Sequence, residues 1–173
     1  ASYVFYGWWD YRFLSLIIFS SVVDFLVGLK MGAATDDRTR RRYLYLSLMT
    51  NLGLLGFFKY YNFFLDSFVD AFTMMGQSLD PGRLSIILPV GISFYTFQTL
   101  SYSIDIYRKK LSPTKDPIAF FAYVSFFPQL VAGPIERATN LLPQFMKNRQ
   151  FTYAAGADGM RQILWGLFTK VVI

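Results

Sequence analysis

Asn51, Lys59, Asn62 and Asp66 recur at intervals of eight, three and four residues, a spacing that sets their side chains along one side of a helix. Two amides, an amine and a carboxyl in such a row can line a path for a polar substrate. The same row also suits a helix whose Lys59 and Asp66 reach out and pair near a membrane surface, and the residues leave both readings open. A second row, Gly91, Tyr95, Gln98, Tyr102 and Asp105, follows at spacings of three or four, with Ser101 beside it. Small and hydrogen-bonding residues hold helices together in an apolar medium, so helix packing is the first expectation for this seam. Asp24 stands alone among Val22, Val23, Phe25 and Leu26. It needs a partner from another helix, and Lys59 is one candidate.

Composition limits the chemistry. The 173 residues contain no His and no Cys, which removes the commonest general base, the commonest metal ligand and every thiolate. Acid-base work within the chain falls to carboxylates, Lys or Tyr. No Gly-rich phosphate loop, metal-ligand cluster or nucleophile-base pair is visible. Accordingly no catalytic, cofactor-binding or metal residue is assigned, and no cofactor is expected.

The elements that position these rows belong to a membrane protein: 54% of the residues are hydrophobic, 20% aromatic and 16% charged, against about 25% charge in soluble domains. Four apolar regions follow one another. Residues 11–34 are long enough to cross a hydrocarbon core, which takes about 20 residues of helix, and Tyr6, Trp8, Trp9 and Tyr11 suit the interface at its start. The second span covers 43–66, its apolar run continuing to 72. The third covers 84–106, with Pro89 and Gly91 predicting a kink or unwound turn near its beginning. The fourth region, 117–135, ends in the stretch "SFFPQLVAGPIER".

Arg38, Arg40, Arg41 and Arg42 follow the first span, and Arg108, Lys109, Lys110 and Lys115 follow the third. Short basic loops stay in the cytoplasm. The loop after the second span carries Asp66, Asp70 and Asp80 against Arg83 and is expected outside. Region four has basic flanks on both sides, so it is expected to be re-entrant or interfacial, broken at Pro128 and again at Gly133-Pro134; an ordinary kinked crossing is the alternative. Surface helices are expected over 138–160, Thr152 capping the second, and a further span from 161 that is still running at Ile173. The whole reads as one all-α, polytopic integral membrane bundle with kinked and re-entrant segments, part of a longer protein. The basic loops are explained by orientation, and no nucleic-acid partner is expected.

Three stretches, "NLGLLGFFKYYNFF" (51–64), "ILPVGISFYTFQTLSYSIDIYR" (87–108) and "SFFPQLVAGPIER" (125–137), in this order and spacing, resemble the amino-terminal half of the membrane-bound O-acyltransferases. The alginate O-acetyltransferase branch is the most similar, and the D-alanyl transfer proteins of teichoic acid modification are its close relatives. The resemblance implies a multi-pass enzyme of the bacterial inner membrane. It would move an acyl group, acetyl in this branch, from a cytoplasmic thioester-type donor to hydroxyls of an extracytoplasmic polysaccharide, reached through a periplasmic partner protein. The family's catalytic histidine lies downstream of the "AGPIER" motif, and this chain has none. What carries over is scaffold: Pro89, Gly91, Phe94, Gln98, Tyr102, Asp105 and Arg108, then Pro128, Gln129, Gly133, Pro134, Glu136 and Arg137. With Lys59 and Asn62 these are the candidate wall and cytoplasmic mouth of a central cavity. The rival reading is a polytopic transporter that uses Asp24, Lys59 and Asp105 as an ion path.

The charge pattern makes a topology prediction. A single cysteine at Gln77 should react with an impermeant thiol reagent in intact cells, and cysteines at Thr39 or Ser112 only after permeabilisation. The reverse pattern would invert the orientation.

Overall fold

A computed structural model describes residues 2–9, 11–74, 91–147 and 150–172. Pro89, Gln77, Asp80 and Arg83 lie outside the described residues, as do the side chains of Trp9, Asn62, Asp66 and Asp70. Every element described is a helix: α1 (Ser2–Trp9), α2 (Tyr11–Ala33), α3 (Asp37–Met74), α4 (Ile92–Tyr107), α5 (Pro117–Val124), α6 (Phe127–Ala132), α7 (Ala138–Met146) and α8 (Tyr153–Val172).

One helix among the described residues is long and apolar enough to cross a membrane, over Leu14–Ala33 in α2. Its exposed side carries Ile18, Phe19, Val22 and Leu26, while Ser20, Ser21 and Asp24 are fully buried. Apolar residues outward and polar residues inward reverse the arrangement of a water-soluble helix. Trp8 and Tyr11 are exposed as a membrane interface would favour, but Tyr6 turns inward and is buried. The expected span over 84–106 is described only as the 16 residues of α4, introduced by Gly91 in the left-handed region at φ 79.

The α3 helix is longer than the expected 43–66, with 38 residues, or about 57 Å at 1.5 Å per residue. It starts inside the segment read as a basic loop, so that Arg38, Arg40, Arg41 and Arg42 ride on its first turns. Asp36 makes this start by accepting from Thr39 N at 3.1 Å, and Asp37 adds negative charge at the helix's positive end. The Thr39 N–H holds the Asp36 carboxyl below the usual carboxylate range. That capping contribution is therefore complete above the ordinary pKa and is lost as pH falls through the lowered one.

Between 117 and 146 the chain breaks twice. Asp116 caps α5, accepting from Ile118 N at 2.9 Å and Ala119 N at 3.3 Å. The first break falls at Ser125 and Phe126, the latter extended at φ −62, ψ 95. This corrects the expectation of a break at Pro128, which instead sits in the first turn of α6, where a missing N–H leaves no intrahelical bond unmade. The second break, extended from Gly133, is where the Gly-Pro pair places it. Farther on, α8 runs without interruption through residue 161, so the expected boundary between a surface helix and a new span does not exist. Thr152 does cap it, Oγ1 accepting from Ala155 N at 3.4 Å.

The α2, α3 and α4 helices form the central bundle, with α1 on α2, α5 against α2 and α4, and α7 against α4 and α5. Gly28 and Gly32, one turn apart, let α2 approach the elements around α4. A β-carbon on Gly28 would lie 2.8 Å from Tyr102 Cε1, and one on Gly32 would strike Pro113. Small residues at this spacing are a common means of close helix approach. Gly28→Ala should destabilise by about 1–3 kcal/mol through overpacking, whereas Gly53→Ala, whose β-carbon meets nothing within 4 Å, should not. Thermal unfolding in detergent micelles distinguishes the two.

Candidate functional site

The first row of candidates does not assemble. Asn51 is buried, but Lys59 is exposed, its Nζ lying 5.6 Å from the Tyr60 ring. The buried stripe of α3 runs through Ser47, Asn51 and Leu55 to partly buried Phe58, which leaves Lys59 about 100° around the helix.

Lys59 is accordingly not the partner of Asp24. Ser47 Oγ donates to Asp24 Oδ1 at 2.5 Å and Asn51 Nδ2 donates to Oδ2 at 2.7 Å. Asn51 Oδ1 in turn accepts from Ser20 Oγ at 2.8 Å and Thr99 Oγ1 at 3.2 Å, and Ser47 Oγ lies 2.9 Å from Ser103 Oγ. Two side chains of α2, two of α3 and two of α4 thus close one network with no cation. The sequence reading isolated Asp24 and Asn51 but missed the hydroxyls. Their signal was Ser47, Thr99 and Ser103 sitting in otherwise apolar helices, where a hydroxyl is worth retaining for a bond across a crossing.

The second row does assemble. Tyr95, Gln98, Tyr102 and Asp105 are all buried along one side of α4, and Gln98 and Tyr102 meet the bent segment. Gln98 Nε2 donates to Tyr123 O at 2.8 Å and approaches Gln129 Oε1 at 3.4 Å, while Tyr123 Oη donates back to Gln98 O at 3.1 Å. Gln129 Nε2 then donates to Pro134 O at 3.1 Å. Tyr102 stacks near Phe120, centroids 4.8 Å apart, and its hydroxyl accepts from Thr114 N at 3.2 Å. Arg108, Pro128, Pro134, Glu136 and Arg137 are exposed, and Gly133 is half-buried.

Packing accounts for part of the seam only. Tyr95 Oη, Gln98 Oε1 and Asp105 Oδ2 are buried without a hydrogen-bond partner, and so is Tyr6 Oη. Buried polar atoms are nearly always paired, so these atoms mark where the seam retains bonding capacity. An apolar groove of about 570 Å³ opens elsewhere, between α1, α2, α5 and α7, with Tyr3, Ile18, Phe121 and Phe145 in its walls, and none of the candidate residues lines it. No group of three or more metal-ligating side chains occurs among the described residues.

No protein-family model and no solved structure matches the chain. Over its whole length it is 43% identical to the probable alginate O-acetylase AlgI of Pseudomonas syringae pv. tomato and 40% identical to that of Azotobacter vinelandii. It is also 36% identical to the peptidoglycan O-acetyltransferase of Helicobacter pylori. The chain is a homologue of these O-acetyltransferases. It spans about a third of their length, 33%, 34% and 37% respectively. The family resemblance drawn from the three motifs is thereby borne out.

The network around Asp24 supplies a stability prediction. Asn51→Leu strands the Asp24 carboxyl and two hydroxyls and should cost about 2–4 kcal/mol. Adding Asp24→Leu should recover part of that loss, giving a favourable coupling in a double-mutant cycle. Additive losses in chemical unfolding would show that the two side chains do not act together.

Proposed function

We propose that this chain is the structural part of a membrane O-acetyltransferase that moves acetyl from a cytoplasmic thioester donor to hydroxyls of an extracytoplasmic polysaccharide. Homology over all of its residues to enzymes named for O-acetyl transfer is the observation that carries the reading. The outward apolar and inward polar faces of α2 support the membrane setting. In such a transfer the sugar oxygen attacks the thioester carbonyl carbon, its proton passes to a base, and the C–S bond breaks. A positioned base typically contributes 10²- to 10⁴-fold.

These residues are read as a framework for that base. There is no imidazole in the chain, and both oxygens of Asp24 are engaged. The seam from Tyr95 to Asp105 is proposed to face the reaction cavity, with the bent 125–137 segment forming its cytoplasmic mouth without crossing. A D-alanyl transfer protein would use the same framework with a different acyl group.

Expressed alone, residues 1–173 should insert into membranes and transfer nothing, while the full-length protein should lose activity when one membrane histidine outside this chain is changed to Ala. Acetyl-ester content of the exopolysaccharide, in cells lacking other O-acetyltransferases, measures both. Acetylation by the 173 residues alone would place the base among them and overturn the framework reading.

A further inference from the structure

The turn that ends α4 has a lysine where glycine is usual. Lys109 lies at φ 58; its N–H donates to Ile106 O at 3.0 Å, and Lys110 N donates to Asp105 O at 2.9 Å. This pair of bonds is the Schellman helix end, whose left-handed residue is most often Gly because a β-carbon is disfavoured there. Strained residues cluster at functional sites, and Lys109 lines a polar notch of about 160 Å³ with Gly32, Arg40, Ser112 and Pro113. That volume holds about five water-sized groups at roughly 30 Å³ each, enough for a phosphate.

The floor of the notch is built. Arg40 is 7% exposed, its Nη1 donating to Met31 O at 3.2 Å and its Nη2 to Ile106 O at 2.8 Å and Tyr107 O at 3.0 Å. One guanidinium thus joins the ends of α2 and α4 and draws together segments 30–42 and 108–116. These hold nine Lys and Arg against three Asp, an excess equal to the whole formal net charge of +6. The depth of the notch is set by α2. The 20 residues of Leu14–Ala33 extend about 30 Å, the thickness of the hydrocarbon core, so Gly32 marks its edge and the notch lies at the level of the lipid phosphates.

We propose that this notch binds the phosphate of an anionic phospholipid, held by Lys109 and Ser112 over the buried Arg40, a reading that rests on α2 crossing the membrane. The headgroup level and the local charge excess favour a lipid over a soluble phosphate.

The test uses the full-length protein in nanodiscs of mixed phosphatidylglycerol and phosphatidylethanolamine, with retained lipid identified by native mass spectrometry. Lys109→Gly removes the ammonium and puts at φ 58 the residue most at ease there. It should raise or preserve the unfolding temperature while weakening phosphatidylglycerol retention about five-fold, as expected for one lysine at an anionic surface. Ser112→Ala should weaken it further, and Lys170→Ala, an equal loss of charge on α8, should change nothing. Unaltered retention in Lys109→Gly would overturn the site, as would an equal loss in Lys170→Ala. Displacement of the lipid by millimolar inorganic phosphate would reassign the notch to a soluble ligand. Extraction by alkaline carbonate tests the membrane reading separately: release from vesicles would overturn the span, while retention in vesicles with unaltered phosphatidylglycerol binding in Lys109→Gly would overturn the notch alone.

Discussion

Asn51 is a single amide that has to serve two neighbouring helices. Its oxygen accepts from Ser20 of α2 and Thr99 of α4, and its nitrogen donates to Asp24 of α2. In an apolar surrounding there is no water to replace a lost partner, so an amide left open is expensive. Sliding α3 by one residue would turn Asn51 by about 100° and shift it about 1.5 Å along the axis, and all three contacts would fail together. The amide therefore fixes the register of the bundle. Arg40 lies three turns earlier on the same side of α3, because 11 residues bring a helix back to within about 20° of the same direction. It meets the terminal carbonyls of α2 and α4. One stripe of α3 thus ties both neighbours twice, once in the middle and once at their ends.

With α4 held through Thr99 and Ser103, the adjoining side of the helix supports backbone that is not regular. Helix ends leave carbonyls without intrahelical donors, and the segment from Tyr123 to Pro134 has two such ends. Gln98 donates to Tyr123 O, and Gln129 donates to Pro134 O. Side-chain amides thereby supply donors that a continuous helix would have supplied from its own backbone. Irregular backbone is tolerated in an apolar medium only where it is buried in protein or wetted, and here the protein provides the bonds.

Much of this was legible in the sequence. The apolar length of α2, the left-handed start at Gly91, the seam of α4 and the interruption at Gly133-Pro134 all follow from residue type and spacing. The failures have physical causes. Lys59 was matched to Asp24 because opposite charges attract, yet eight residues separate it from Asn51, about 12 Å along the helix. Hydroxyls and an amide satisfied the carboxyl locally instead. The run from Arg38 to Arg42 was read as a loop from its charge, although acids such as Asp36 and Asp37 before a basic run are also a helix start. Pro128 was read as a breaker, although in a first turn it is a starter. The boundary expected at 161 had no helix-breaking residue behind it, and α8 runs through it unbroken.

Asp24 and Asp105 are both buried carboxyls, and composition alone makes them equivalent. Their partners separate them. Each oxygen of Asp24 receives a donor from α3, and the network around it closes through α2 and α4. Asp105 keeps Oδ2 without a partner, on the same side of α4 as the open atoms of Tyr95 and Gln98. A carboxyl with a donor on each oxygen orders the bundle, whereas one with an oxygen still open can take up a further donor. The polar seam of α4 therefore carries the capacity for further binding, while the more fully bonded network on the adjoining side of the helix holds it in place.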